Sequence, residues 1–146
     1  MSIRRRVDDA LALHQLGRFD GALLSALVAA AATARRETPD RNVRDRECFE
    51  RFLGKSAACQ RIFNVEYRGA LHSIPHIFYK WLRCELVHEG AVPIDIEFLG
   101  DPNDGVLSLR AGGAPQEVLQ LSHGWLFEVL HLVRTSAANR NESLGS

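Results

Sequence analysis

Arg83 and His88 close one aromatic-rich apolar segment, Phe78-Tyr79-Lys80-Trp81-Leu82-Arg83-Cys84-Glu85-Leu86-Val87-His88-Glu89-Gly90. The arginine is a permanent cation whose fork of N–H groups can grip a phosphate with two hydrogen bonds. The histidine exchanges a proton near neutral pH. Held on one rigid element, the two are minimal equipment for breaking a phosphodiester without a metal ion.

Geometry limits how they can cooperate. Five residues along an α-helix turn the second side chain about 140° from the first. Arg83 and His88 therefore share a cleft only if His88 lies on the last, fraying turn. Gly90 and Pro93 place a stop there, and the negative end of a helix favours a cation.

The elements that must carry this segment read mainly as helices. Ser2 to Gln15 is amphipathic, with Ile3, Val7, Ala10, Leu11 and His14 at helical spacing. Arg4 with Asp8 and Arg5 with Asp9 suit i,i+4 pairs, so the Arg4-Arg5-Arg6 triplet reads as a solvated face. Gly17 suits a left-handed stop. Arg18 to Arg36 is apolar over most of its girth and predicts the central helix of a bundle. Asn42 is a candidate cap for a helix from Val43 to about Leu53. After an unclear stretch from Gly54 to Gly69, a helix starts at His72 or Ser73, takes Pro75 in its first turn and runs to about His88.

The period then changes. Ile94, Ile96 and Phe98 alternate with Asp95 and Glu97, as in a half-buried strand. Val106, Leu107 and Leu109 predict a second strand after the 100–105 turn, and Glu117 to Leu121 a third. Ser122 to about Ser136 returns to helix, and the residues after Ala137 are polar. The expected fold is thus mainly α. It is an up-and-down bundle of four to five helices, with a small antiparallel hairpin or meander inserted at about 93–121, before the last helix. Residues 1–137 form one domain and 138–146 a flexible polar tail.

Composition bounds the partners. The 146 residues carry 46% hydrophobic and 25% charged side chains, enough for one packed core. Net charge is zero, so any nucleic-acid contact must use a local basic patch. Three cysteines without a C-x-x-C motif argue against a disulfide framework or zinc knuckle and suit a reducing cytoplasm. No stretch reads as a signal peptide or a membrane span.

Other chemistry-bearing residues have plain structural readings. His72 and His76 have the i,i+4 spacing of a helical zinc pair, but no Glu follows His72 and Pro75 interrupts the pair. They read as core or surface residues. Cys59 and Cys84 read as small buried hydrophobes, and Trp81 and Trp125 as core or dimer-interface residues. Asp95 and Glu97 read as a solvated strand face, Asp101 and Asp104 as turn residues. Arg83 itself suits a salt bridge with Glu89 or another acid, and His88 a helix C-cap.

A helical domain whose late helix reads aromatic-x-x-x-Leu-Arg-x-x-Leu-Val-His-Glu-Gly resembles the HEPN superfamily, whose pattern is Arg-x(4–6)-His. The resemblance covers the helical order over most of the chain, with motif detail confined to 78–90. It implies a homodimer in which two Arg/His pairs face each other, and a metal-independent endoribonuclease without a cofactor. It implies Arg83 and His88 as catalytic residues, with Lys80, Tyr79 and Glu85 near the substrate. It also implies a toxin, defence or stress role, with RNA as substrate and an antitoxin or regulatory protein as partner. The position after the arginine, often polar in that family, is Cys84 here. The alternatives are a non-catalytic HEPN-like interaction or nucleotide-binding module, which Cys84 and the neutral charge favour, and a helical scaffold subunit.

Overall fold

Helix α1 (Ile3–Gln15) begins where the Ser2 hydroxyl accepts a hydrogen bond from the Arg5 amide at 3.2 Å. In the computed structural model, which describes residues 2–62, 64–112 and 118–142, Ile3, Val7, Ala10 and His14 of this helix are buried. Arg4 pairs with Asp8 as expected; Asp9 pairs with Arg6, not Arg5. Gly17, at φ +75°, ends the helix in the left-handed conformation.

Helix α2 (Phe19–Glu37) is the central helix. Five of its alanines are buried, with Leu23 and Leu27, and it packs against α1, α3 (Asp45–Leu53) and α7 (Gly124–Thr135). Small side chains let those neighbours approach closely. Helix α3 starts two residues later than the Asn42 cap predicts, and no side chain caps it. Arg35 decides its start: the guanidinium donates to the carbonyl oxygens of Thr38, Asp40 and Val43 and to the Asp45 carboxylate. That ties residues 38–45 to α2 and holds Val43 outside the helix.

The unclear stretch contains a short helix, α4 (Ala57–Arg61), and a hairpin the sequence did not predict. Its strands are β1 (Val65–Tyr67) and β2 (Ala70–His72), paired antiparallel with Glu66 opposite Leu71. Arg68 and Gly69 turn at φ 52° and 78°. Two left-handed residues make the turn whose twist matches a hairpin, and arginine is an unusual first member.

After Gly90, at φ +74°, the chain forms β3 (Ile96–Leu99), β4 (Leu109–Ala111) and β5 (Leu119–Ser122). The order is β3-β5-β4, with β3 and β5 parallel and β4 antiparallel to β5. The expected antiparallel meander is therefore corrected to a mixed sheet. Burial explains the order: Leu119 and Leu121 are each 1% exposed, so β5 takes the protected centre. The register puts Ile96 and Phe98 beside Leu119 and Leu121, with Leu109 across, on one apolar face. Glu97, Gln120 and Arg110 form the opposite row. Three strand assignments fail: Ile94 lies in a turn and is 98% exposed, and Val106, 63% exposed, and Leu107 both lie outside β4. Gly113 and Glu117 lie outside the described residues.

Helix α7 buries Trp125, Leu126, Val129, Leu130 and Val133, and the Trp125 indole N–H donates to the Ser108 carbonyl at 3.0 Å. The segment after it, within the stretch expected as a flexible polar tail, is hydrogen-bonded to the helices as far as Glu142. Asn139, 2% exposed, donates to Thr33 Oγ1 at 2.9 Å and to the Val133 carbonyl at 3.0 Å. Its amide oxygen accepts from Arg36, and Glu142 accepts from Arg36 and from the Arg4 amide. A buried amide with its partners satisfied holds a chain end that its polar composition would leave free. Residues 143–146 of the expected tail lie outside the described residues.

The molecule is thus mainly α with two small sheets. Among the described residues no helix is long and apolar enough to cross a membrane.

Candidate functional site

The Arg83/His88 segment forms as expected, with its interior altered. Ser73 caps it, its hydroxyl accepting from the His76 amide, and Pro75 sits in the first turn. The rod then runs as α5 (Ile74–Ile77), a π-helical stretch (Phe78–Arg83) and α6 (Cys84–Glu89). Wide π turns are uncommon and are often found at functional sites. Packing explains this one. Phe78, Trp81 and Leu82 are all buried, and Phe78 meets Trp125 at 5.6 Å while Trp81 meets Tyr67 at 4.9 Å between ring centroids. The wider turn lets bulky side chains at 78, 81 and 82 reach the core together.

The π stretch ends on Arg83, which lines a groove of about 230 Å³. Val28, Ala31, Ala32 and Arg35 of α2 form one wall, and Asp45 and Cys48 of α3 the end. Tyr79, one turn before Arg83, forms the other side, with its ring centroid 5.3 Å from the guanidinium carbon. Tyr79 is itself held against Phe49 at 5.5 Å. The two arginines differ in state. Arg35 is fully engaged with residues 38–45. Arg83 has a buried Nε without a hydrogen-bond partner, and among the described residues no carboxylate pairs with it. The expected Arg83–Glu89 bridge is not formed among those residues.

His88 is exposed in the last turn of α6, before the left-handed Gly90. No hydrogen bond or ion pair among the described residues joins it to Arg83. Regular α-helix between them turns their side chains about 140° apart. Val87, 54% exposed, lines a second shallow cavity with Leu24 and Val28, continuing the Arg83 side of the rod. His88 lies one residue beyond, off that line.

Of the five residues singled out from the sequence, Arg83 and Tyr79 meet. Lys80 is exposed, with its ammonium 4.9 Å from the Trp81 ring centroid, on a different side of the rod. Glu85 is half-buried and makes no hydrogen bond or ion pair among the described residues. Cys84 is half-buried. Cys59 is buried, as a small hydrophobe is expected to be, and burial pushes its thiol up to about 11. Among the described residues no group of three or more His, Cys, Asp or Glu is placed to hold a metal ion.

Sequence reading missed a second cluster. His72, at the end of β2, and His76, in α5, stack at 5.4 Å, and His76 Nδ1 donates to Glu50 of α3 at 2.8 Å. The i,i+4 spacing was the available signal; the hairpin that delivers His72 was not visible. Below the cluster, Arg68 donates twice to Asp95, at 2.7 and 3.1 Å, and Tyr67 donates once, at 2.6 Å. Asp95 is thus a tether between hairpin and sheet, not a solvated strand residue. Asp101 and Asp104 accept from backbone amides two residues on, as turn residues do.

Burial pushes the Asp95 carboxyl up, but the hydrogen bonds and charge of Arg68 and the Tyr67 bond outweigh it and hold it below its usual range. A depressed folded value contributes stability above the unfolded range, lost as pH falls through the folded value. Asp95→Asn is therefore expected to lower stability at neutral pH and to flatten its decline below about pH 4. Urea melts across pH test this; a variant whose acid decline matches wild type contradicts it.

A sequence model of one protein family, Rv1289, matches residues 2–146. No curated protein and no solved structure matches the chain.

Proposed function

We propose that this chain, which belongs to the Rv1289 family, is a cytoplasmic metal-independent endoribonuclease of HEPN type, with its site completed across a homodimer. One observation carries the reading: the Arg83 guanidinium lines an open groove with its Nε buried and unpartnered. An unsatisfied buried donor costs about 1–3 kcal/mol, and a phosphate oxygen is a suitable acceptor. Tyr79 holds the guanidinium plane and contacts the substrate beside it. On this reading the long helices form the up-and-down bundle and the three-stranded sheet is its insertion.

The divergence of Arg83 and His88 within one chain makes the second copy necessary. His88 takes the proton from an RNA 2′-hydroxyl, and the 2′-oxygen attacks phosphorus. The bond to the 5′-oxygen breaks, and that oxygen leaves with a proton from the second copy's histidine. Arg83 stabilises the charge on the phosphorane. The products are a 2′,3′-cyclic phosphate and a 5′-hydroxyl. Such an activity fits a toxin, defence or stress effector held in check by an antitoxin or regulatory protein.

A second reading, a non-catalytic nucleotide-binding module of the same fold, is favoured by the position of His88 off the groove. Purified chain incubated with RNA and excess chelator separates the two. The expected result is cyclic-phosphate product from wild type and none from His88→Ala, which stays folded and dimeric by light scattering. Cleavage persisting in His88→Ala overturns the nuclease proposal. RNA binding without cleavage by wild type selects the second reading.

A further inference from the structure

Four basic side chains surround the indole of Trp81. The ring centroids of His72 and His76 lie 4.7 and 5.5 Å from it, the Lys80 ammonium 4.9 Å and the Arg68 guanidinium carbon 5.8 Å. They come from β2, α5, the π stretch and the hairpin turn, so only the folded chain assembles them. Two carboxylates reach the cluster and both are engaged. Asp95 holds Arg68 and Tyr67. Glu50 holds His76 with one oxygen and Arg46, at 3.3 Å, with the other. Nothing answers the Lys80 charge: among the described residues neither the Lys80 nor the His72 side chain has a hydrogen bond or ion pair.

Two ligand chemistries compete for such a cluster. A divalent metal would find only two uncommitted imidazoles and would meet the Lys80 ammonium. A small anion would find Lys80 and His72 as donors, with the Nε2 of His76, whose Nδ1 is already fixed by Glu50. The unpaired Lys80 ammonium decides for the anion. We infer that His72, His76 and Lys80, braced by Glu50, form a phosphoryl-binding site separate from the Arg83 groove. It shares no residue with that groove and does not rest on the nuclease reading.

The state of His72 supplies a coupling. Burial, then the neighbouring His76 and Lys80, hold its imidazole below the usual range, which favours the neutral form at neutral pH. A bound dianion reverses the local charge and favours protonation. Affinity for the dianion therefore rises as pH falls. Arg46 and Glu50 of α3, Tyr67 and Arg68 of the hairpin, and Asp95 before β3 are the other charged or titratable groups around the site. Arg46 pairs with Glu50, and Tyr67 and Arg68 with Asp95.

The test uses the full chain with labelled histidines, followed by NMR against pH with inorganic phosphate and, separately, with a short single-stranded RNA. Phosphate is expected to shift the His72 and His76 signals and to raise the proton affinity of His72 about tenfold. Lys80→Gln, at an exposed position, is expected to weaken phosphate binding about tenfold, and Arg83→Ala to leave it unchanged. If RNA moves the same signals and phosphate competes with it, the phosphoryl group is a backbone phosphate. If only inorganic phosphate moves them, the site takes a free phosphate or a mononucleotide. The inference is overturned if neither probe moves His72, if Lys80→Gln binds as wild type, or if Arg83→Ala abolishes the shift.

Discussion

Arg83→Ala is expected to lower RNA cleavage by about 10²–10³-fold while leaving the fold no less stable. Most arginines cannot be truncated at such a split. Here the guanidinium has no carboxylate partner among the described residues, and its buried Nε lacks an acceptor. Removing it relieves an unsatisfied donor, about 1–3 kcal/mol. Against that stand the contact with Tyr79, about 0.5–2 kcal/mol at a half-buried site, and some packing by the aliphatic stem. The balance lies near zero or slightly in the variant's favour. On the proposed mechanism the same group faces charge that develops only in the transition state, so its loss falls on the rate. Arg83→Lys restores the charge without the planar fork and is expected to recover little. Single-turnover cleavage and urea melts on the same preparations read both halves. A variant that keeps its activity and loses stability makes Arg83 a structural residue and removes the proposed site.

Gly124→Ala is expected to destabilise the fold by more than about 3 kcal/mol. The reason is space, not backbone conformation. A Cβ at Gly124 would stand 2.4 Å from the Val106 carbonyl oxygen and 2.8 Å from that of Gly105. Both obstacles are backbone, so no side chain can swing aside. Either the start of α7 or the 105–106 segment must move. Either shift disturbs the Trp125–Ser108 hydrogen bond and the Ser122 hydroxyl, which donates to the Val106 carbonyl and accepts from the Ser108 amide. Trp125 is 1% exposed and anchors the sheet side of the core. A melting temperature within a few degrees of wild type would show that the loop yields without loss.

The helices were legible because each carries a strong periodic signal over many residues. In α1 the stripe Ile3, Val7, Ala10, His14 repeats at helical spacing and is the buried set. Glycines 17 and 90 end their helices at the predicted places, since left-handed backbone strongly favours glycine. The short elements were not legible. Strands of three or four residues hold too few positions for alternation to separate them from turns, so Ile94 looked inward and is exposed. The Arg68-Gly69 hairpin carried no strong local turn signal. Asn139 looked like tail because its polarity is satisfied only by Thr33 and Val133, residues placed beside it by the packing of α2 and α7.

The site divides in the same way. Residue type and spacing alone determined that Arg83 and His88 share one helical rod and that Gly90 stops it, and left open whether the last turn brings the two side chains together. These follow from the rise and twist of a helix and need no neighbours. Only the tertiary structure decided which surface each side chain meets. Core packing of Phe78, Trp81 and Leu82 accompanies the π stretch, α2 and α3 close the groove around Arg83, and the β1–β2 hairpin carries His72 to His76. Those outcomes depend on contacts between segments distant in sequence, and no local pattern encodes which segments will meet.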